Sequence, residues 1–245
     1  MGARSEERGR QAVAAIKADH PDADVRLLLL DVSDDASVAR AAERMRGVPL
    51  YALVNNAGVG FRTGDGTADG VLAANFYGPR RVTDAFVGAV AARVVNVSSG
   101  AASMWLRGKD AKTKAFFTTP AVSWEDLRAE VERRKGDTSG IGVYGLSKAG
   151  LNLITMQQAA AHTHLKCVSL SPGFIQTNMT QGFGAKLTAE KGTVSLKKCL
   201  FGDVVSGCYY GSDGLRSPLT MTRDPGTPEY EGEDEATINY STYNR

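Results

Sequence analysis

Cysteine is scarce. The 245-residue chain has three, Cys167, Cys199 and Cys208, an odd number with no CxxC pair. That suggests neither a disulfide framework nor a zinc site, and the default expectation is a reduced, cytoplasmic protein. A surplus of charge is also missing: 29 Lys and Arg stand against 27 Asp and Glu, a net of +2. Such balance argues against a nucleic-acid partner. No apolar run approaches the roughly 20 residues of a membrane span, and the run at 27–30 (LLLL) ends after four. The opening residues, MGARSEERGR, contain no apolar signal core. No repeat or low-complexity block stands out. What remains is an ordinary globular composition, 42% hydrophobic and 23% charged, long enough to build a core without covalent staples.

Short apolar runs alternate with longer segments of helical period. Residues 5–18 read as a helix with Ala12, Val13 and Ile16 on one face, and 25–30 as a strand buried on both faces. Residues 34–46 are helical, 49–54 a strand, 66–92 mostly helix and 93–97 a strand. A long helix over 144–161 precedes a strand at Lys166–Leu170. This alternation predicts a parallel sheet covered by helices, the doubly wound α/β class. Ligands in such sheets bind beyond the carboxyl ends of the strands. The residues there are Asp31, the 55–58 segment (NNAG), Ser98 with Ser99, and Ser171 to Gly173.

Two stretches interrupt the pattern. Residues 100–143 form an excursion too long for a bare loop, and Ser123-Trp-Glu-Asp126 within it resembles a capping box opening a short helix. The C-terminal stretch has Pro218, Pro225 and Pro228, then six acids and no bases from Asp224 to Glu235, the composition of a loop or tail.

Tyr144 and Lys148 lie four residues apart, on one face of the predicted helix. A nearby ammonium favours phenolate and makes a tyrosine usable as an acid/base near neutral pH. Alone, the pair reads equally as an exposed helix-surface contact. Ser99, ending the RVVNVSS run, either hydrogen-bonds a substrate carbonyl or caps local backbone. Asp31 either meets an adenine amino group or caps the helix near Asp34.

In combination these residues say more. Asp31-Val32, NNAG at 55–58, Asn75 in LAANFYG, NVSS at 96–99, YxxxK at 144–148 and Pro172-Gly173 with Thr177 occur in one order. The pattern resembles the short-chain dehydrogenase/reductase family over most of residues 3–220. The resemblance implies a Rossmann-like sheet and hydride transfer between a nicotinamide cofactor and a carbonyl or alcohol carbon. It implies Tyr144 as general acid/base and Lys148 as the residue that tunes it and holds the nicotinamide ribose. Ser99 would polarise the substrate oxygen, and Asn75 would hold a water linking Lys148 to solvent. For the cofactor it implies Asp31 and Val32 at adenine, Asn56, Ala57 and Gly58 along the ribose, and Pro172, Gly173, Ile175 and Thr177 at nicotinamide. Arg4, with Arg8 nearby, would pair with a 2′-phosphate, which favours NADP(H). The 44 residues between Ser99 and Tyr144 resemble the carbonyl-reductase-like branch, which includes plant reductases of terpenoid and alkaloid ketones. Members of that branch tend to be monomers. Trp105, Phe116, Phe117 and Trp124 in this insert either pack near a substrate pocket or anchor the insert.

The family's first strand, glycine-rich phosphate turn and second strand have no counterpart in these 245 residues. The string at 138–142 (TSGIG) follows a charged helix, not a buried strand, and fails the context that a phosphate loop needs. The expectation is an N-terminally incomplete reductase domain over 1–220 with an acidic, irregular tail over 221–245. It should act as an NADP(H)-dependent carbonyl reductase with impaired cofactor binding, or alternatively as a non-catalytic protein of the same fold. A gap of two strand spacings, roughly 10 Å, should separate 25–30 from 49–54, unless the two strands close on each other. Thr188 should open a mobile helix over the site. No metal, nucleic-acid or membrane partner is expected.

Overall fold

The computed structural model describes residues 1–60, 66–136, 141–235 and 239–244. The chain begins with a two-residue strand, β1 (Gly2–Ala3), followed by α1 (Glu6–Asp19). Ser5 caps α1, accepting the Arg8 N–H, while Glu6 and Glu7 in the first turn and Lys17 in the last complement the helix dipole. β2 (Leu28–Leu29) pairs in parallel with β1. The six-residue strand expected at 25–30 is therefore only two residues long, and Leu29 is 42% exposed. With a two-residue partner on one side only, the ladder has nothing to extend along. One face, Leu28 and Leu30, packs on the cluster of Val38, Ala41, Val82 and Phe86, while on the other Leu27 packs against Gly9 of α1 and Leu29 stays exposed.

α2 (Asp35–Arg44) is capped by Asp34, whose carboxylate accepts the N–H groups of Ala36 and Ser37. β3 (Leu50–Asn55), β4 (Val90–Val97), β5 (Lys166–Leu170) and β6 (Tyr209–Tyr210) form a second sheet in the order β3-β4-β5-β6, parallel throughout. The parallel α/β architecture expected from the alternation is present. No ladder joins the two sheets among the described residues. The first sheet does not close onto β3, whose outer edge carries Tyr51, 55% exposed. The two parts are held together by α2 and α4 (Gly78–Phe86), through the cluster that also receives Leu50 and Leu53.

Between β3 and α4 lie α3 (Ala68–Leu72) and a π-helical turn, Ala73–Tyr77. α8 (Gly142–Ala161) is buried along most of its length, at the centre of a cluster that includes Phe76, Leu106, Leu127, Val131, Leu146 and Leu153. The insert holds three helices where one was expected: α5 (Gly100–Arg107), α6 (Ala111–Phe117) and α7 (Trp124–Arg134). Ser123 caps α7 as the sequence suggests, accepting the Asp126 N–H at 3.0 Å. The insert aromatics serve as anchors: Trp105 meets Phe117 edge-on with centroids 5.3 Å apart, and Trp124 stacks on Phe76 at 5.3 Å. Of the 138–142 string, residues 138–140 lie outside the described residues.

α9 (Thr193–Phe201) starts five residues later than expected. Thr188 caps only a turn, accepting the Lys191 N–H at 3.3 Å. The C-terminal stretch is irregular apart from α10 (Tyr240–Tyr243), yet it is not a loose appendage. The Glu235 carboxylate accepts the N–H groups of Leu219 (2.8 Å) and Thr220 (2.6 Å), Tyr243 is buried, and Arg223 is buried against Asp213, Ser217 and Thr227.

Candidate active site

The strand register sets the site. Asn55 pairs with Asn96, Val97 with Leu170, and Leu170 with Tyr210, so the ends of four strands lie side by side. A buried amide network locks this register. Asn55 Nδ2 donates to Thr83 Oγ1 (3.0 Å) and to Asn96 Oδ1 (2.7 Å), and Asn96 Nδ2 donates to Thr155 Oγ1 and Gln158 Oε1, both at 2.8 Å. β3 and β4 are thereby tied to α4 and α8. Gln158 Nε2 is left without a partner, but the bonds that are made favour one arrangement of the elements carrying them.

Asn75 lies in the π-helical turn, fully buried. Such turns interrupt an α-helix and are frequent at functional sites. Its Oδ1 accepts the Val59 N–H and its Nδ2 donates to the Val59 carbonyl, both at 2.8 Å, while Nδ2 also reaches Ser147 Oγ at 3.3 Å. The amide thus clamps the NNAG loop onto α8. Gly58 sits beside it: a Cβ there would lie 3.1 Å from Asn75 Oδ1 and 3.6 Å from Lys148 Nζ. Asn56 and Ala57 are exposed on the same loop.

Ser99 caps α5, its Oγ accepting the Ala101 N–H at 3.2 Å, and its hydroxyl lies close enough to the Tyr144 phenol to draw its titration down. Its neighbour Ser98 is turned inward, donating to the Lys148 carbonyl at 3.3 Å. Lys148 is buried and donates from Nζ to the Val97 carbonyl at 2.8 Å, with Nζ 5.9 Å from the Tyr144 ring centroid. Burial pushes the Lys148 ammonium down to about 8. Burial pushes the Tyr144 phenol above its ordinary value, opposed by the Ser99 hydroxyl. The expected lowering of the tyrosine by the lysine is therefore not found. Desolvation outweighs it, and the lysine's proton is directed at Val97 instead.

On the other side, Gly173 adopts a left-handed φ of +83°, and a Cβ there would come within 2.9 Å of both Leu187 Cδ1 and Ser212 Cβ. Pro172 and Gly173 are half-buried, Ile175 bridges to Leu187, and Thr177 is exposed with its hydroxyl 3.2 Å from that of Thr180. At the far edge, Asp31 accepts from Ser33 N (2.9 Å) and Ser33 Oγ (2.5 Å), while Asp34 takes the helix cap. The Ser33 hydroxyl holds the Asp31 carboxyl below its ordinary value, aided by the nearby charges of Arg4 and Arg81. Val32 packs on Gly78 and accepts from Arg81 Nη1 at 2.7 Å. Arg4 and Arg8 are exposed.

Asn75, Ser99, Tyr144, Lys148 and Gly58 come together, and Arg4 lies near Asp31 across the short sheet. Two further residues belong to the neighbourhood. Ser171 accepts the N–H groups of Gly100 and Gly173, each at 3.2 Å, and Tyr209, buried on β6, lies beside it. The position of Ser171 before Pro172-Gly173 marks it as a strand-end residue, but nothing in the sequence reveals its partners. Tyr209 lies on a strand too short to be legible by period.

With this geometry in hand, comparison with known proteins is informative. Residues 1–111 match the short chain dehydrogenase family model. A (+)-neomenthol dehydrogenase of Arabidopsis thaliana is 28% identical, over 86% of this chain and 86% of that protein. Carbonyl reductase [NADPH] 3 of Mus musculus is 28% identical, over 78% of this chain and 77% of its own. Among solved structures, salutaridine reductase from Papaver somniferum superposes with a TM-score of 0.74 at 23% identity, covering 85% of this chain and 89% of that one. NADPH-bound carbonyl reductase from chicken fatty liver gives 0.63 at 24% identity, covering 88% and 85%. The chain is thus similar to short-chain dehydrogenases/reductases in sequence over its first 111 residues. Its relatives in sequence are carbonyl reductases and a neomenthol dehydrogenase, and its neighbours in structure share the Rossmann-like fold.

Proposed function

We propose that this chain is an oxidoreductase of the carbonyl-reductase type, reducing a small-molecule carbonyl to an alcohol with NADP(H). The observation that carries the reading is the Ser99–Tyr144 hydroxyl pair beside buried Lys148, with Gly58 leaving open the space in front of Asn75 and Lys148. The missing side chain at Gly58 would let the cofactor approach Lys148. Lys148 would hold the ribose hydroxyls, Pro172, Gly173, Ile175 and Thr177 the nicotinamide side, and Asp31 and Val32 the adenine. Arg4 would meet a 2′-phosphate. Bound NADPH supplies the hydride.

The residues of the chain supply the rest. Reduction builds negative charge on the carbonyl oxygen, and two hydroxyl donors aimed at one point stabilise it. Tyr144, kept protonated by burial, gives its proton to that oxygen, and Ser99 orients it. Asn75 fixes the loop of Gly58 and, through ordered water, connects Lys148 with solvent. A monomer is the proposed working form, as the long insert between Ser99 and Tyr144 implies by its resemblance to the carbonyl-reductase-like branch. A cytoplasmic location accords with three cysteines outside any disulfide, Cys167 and Cys199 buried and Cys208 half-buried. No described helix is long and apolar enough to cross a membrane.

A second reading has its own observation. No ladder joins the two sheets, and no glycine-rich turn leads from a described strand into a helix to cradle a pyrophosphate. These 245 residues alone should therefore hold NADPH weakly, and a non-catalytic protein of the same fold is the alternative. Titration of the purified chain with NADPH, followed by nucleotide fluorescence, separates the two. Dissociation in the high-micromolar to millimolar range, with slow ketone-dependent oxidation, supports an impaired reductase. No binding and no oxidation supports the alternative.

A further inference from the structure

We propose that Ser171 is a positioning residue that sets the geometry of Ser99 and of the Pro172-Gly173 loop together. This rests on the reading of Ser99 and Tyr144 given above. Ser171 lies at the end of β5, 7% exposed, with its backbone fixed on both sides: its N–H donates to the Tyr210 carbonyl at 2.9 Å, and its carbonyl accepts Ser195 Oγ at 2.9 Å. The side chain therefore projects from a rigid point.

A serine hydroxyl has one proton and two acceptor positions. Both acceptor positions are filled, by the N–H groups of Gly100 and Gly173 at 3.2 Å each. Gly100 directly follows Ser99, and Gly173 is the left-handed residue of the nicotinamide-side loop. One oxygen thus ties the loop after β4 to the loop after β5. Neither loop is otherwise joined to the other beyond the Ser98 N–H to Leu170 carbonyl bond at 2.7 Å, which ends the ladder. Without the hydroxyl, Gly100 and Gly173 each lose an acceptor, and Ser99 loses the constraint that holds it on Tyr144.

The test is made on the nucleotide-free chain, by amide hydrogen exchange resolved by NMR for Gly100 and Gly173. Ser171→Ala should speed exchange at both amides by about fivefold or more, the loss of one hydrogen bond each, leaving amides of α2 unchanged. Ser171→Thr, which keeps the hydroxyl, should restore wild-type protection. A Tyr144 phenol titrating higher in Ser171→Ala than in wild type would show that Ser99 had moved. Uniform acceleration across the molecule, or unchanged exchange at Gly100 and Gly173 in Ser171→Ala, overturns the proposal. These readouts need no turnover, so a failed carbonyl-reduction assay would count against the functional reading and leave this one standing.

Discussion

Lys148 should destabilise the fold that holds it. Its ammonium is buried, and burial lowers it from 10.5 to about 8. For a base, a lowered folded value means that the unfolded chain takes up a proton more readily than the folded one. Between pH 8 and 10.5 the unfolded state binds the extra proton, so stability rises with pH across that window. Below pH 8 the penalty is present in full. At 1.36 kcal/mol per unit it comes to about 3 kcal/mol. Lys148→Met keeps the length and apolar stem of the side chain and removes the charge, but it forfeits the 2.8 Å bond to the Val97 carbonyl, which is worth about 1 kcal/mol. The net expectation at pH 7 is a gain of about 2 kcal/mol, or on the order of 5 °C in Tm for a chain of this size. At pH 10.5 the sign should reverse, because only the lost hydrogen bond remains. Thermal unfolding of both proteins at pH 7 and pH 10.5 measures this, since other groups titrate equally in each and cancel. If Lys148→Met is destabilised equally at both values, the ammonium is fully compensated in the fold and the reasoning is wrong.

Other substitutions probe separate parts of the structure. Gly145→Ala places a Cβ 2.7 Å from Trp105 Cβ and 2.9 Å from Ile141. These atoms are stems that cannot swing aside, so urea denaturation should show a loss of about 1–2 kcal/mol despite the better helix former. Ser99→Ala removes the hydroxyl that opposes burial at Tyr144. The phenol should titrate higher, and turnover should fall by roughly 100-fold; an unchanged rate would exclude Ser99 from the reaction. Arg4→Glu should weaken NADPH binding and spare NADH, by about tenfold in their ratio. Equal loss for both nucleotides would place Arg4 away from the 2′-phosphate.

The sequence carried the site better than it carried the frame. Tyr144, Lys148, Ser99, Asn75 and Gly58 announce themselves because fixed spacings put chemistry at strand ends and on one helix face, and the fold brings them together. β5 is bounded by Lys166 and Leu170 as the KCVSL segment suggests. Local pattern failed where neighbours decide. The run at 25–30 has the composition of a buried strand, but a strand needs partners, and only Leu28 and Leu29 find them. β6 is two residues long, below any detectable period, so Tyr209 was invisible. The clamp at Ser171 involves residues 71 positions apart in sequence. The raised Tyr144 phenol likewise comes from burial, which residue spacing does not report.

The most direct measurement compares wild-type chain with Tyr144→Phe for ketone-dependent oxidation of NADPH at millimolar cofactor, a concentration chosen to offset weak binding. Removing a general acid costs about 10²–10⁴-fold. The account predicts measurable turnover in the wild type and a loss of at least 100-fold in Tyr144→Phe, with NADPH affinity little changed. Equal turnover in the two proteins, or none in the wild type at saturating cofactor, would contradict it.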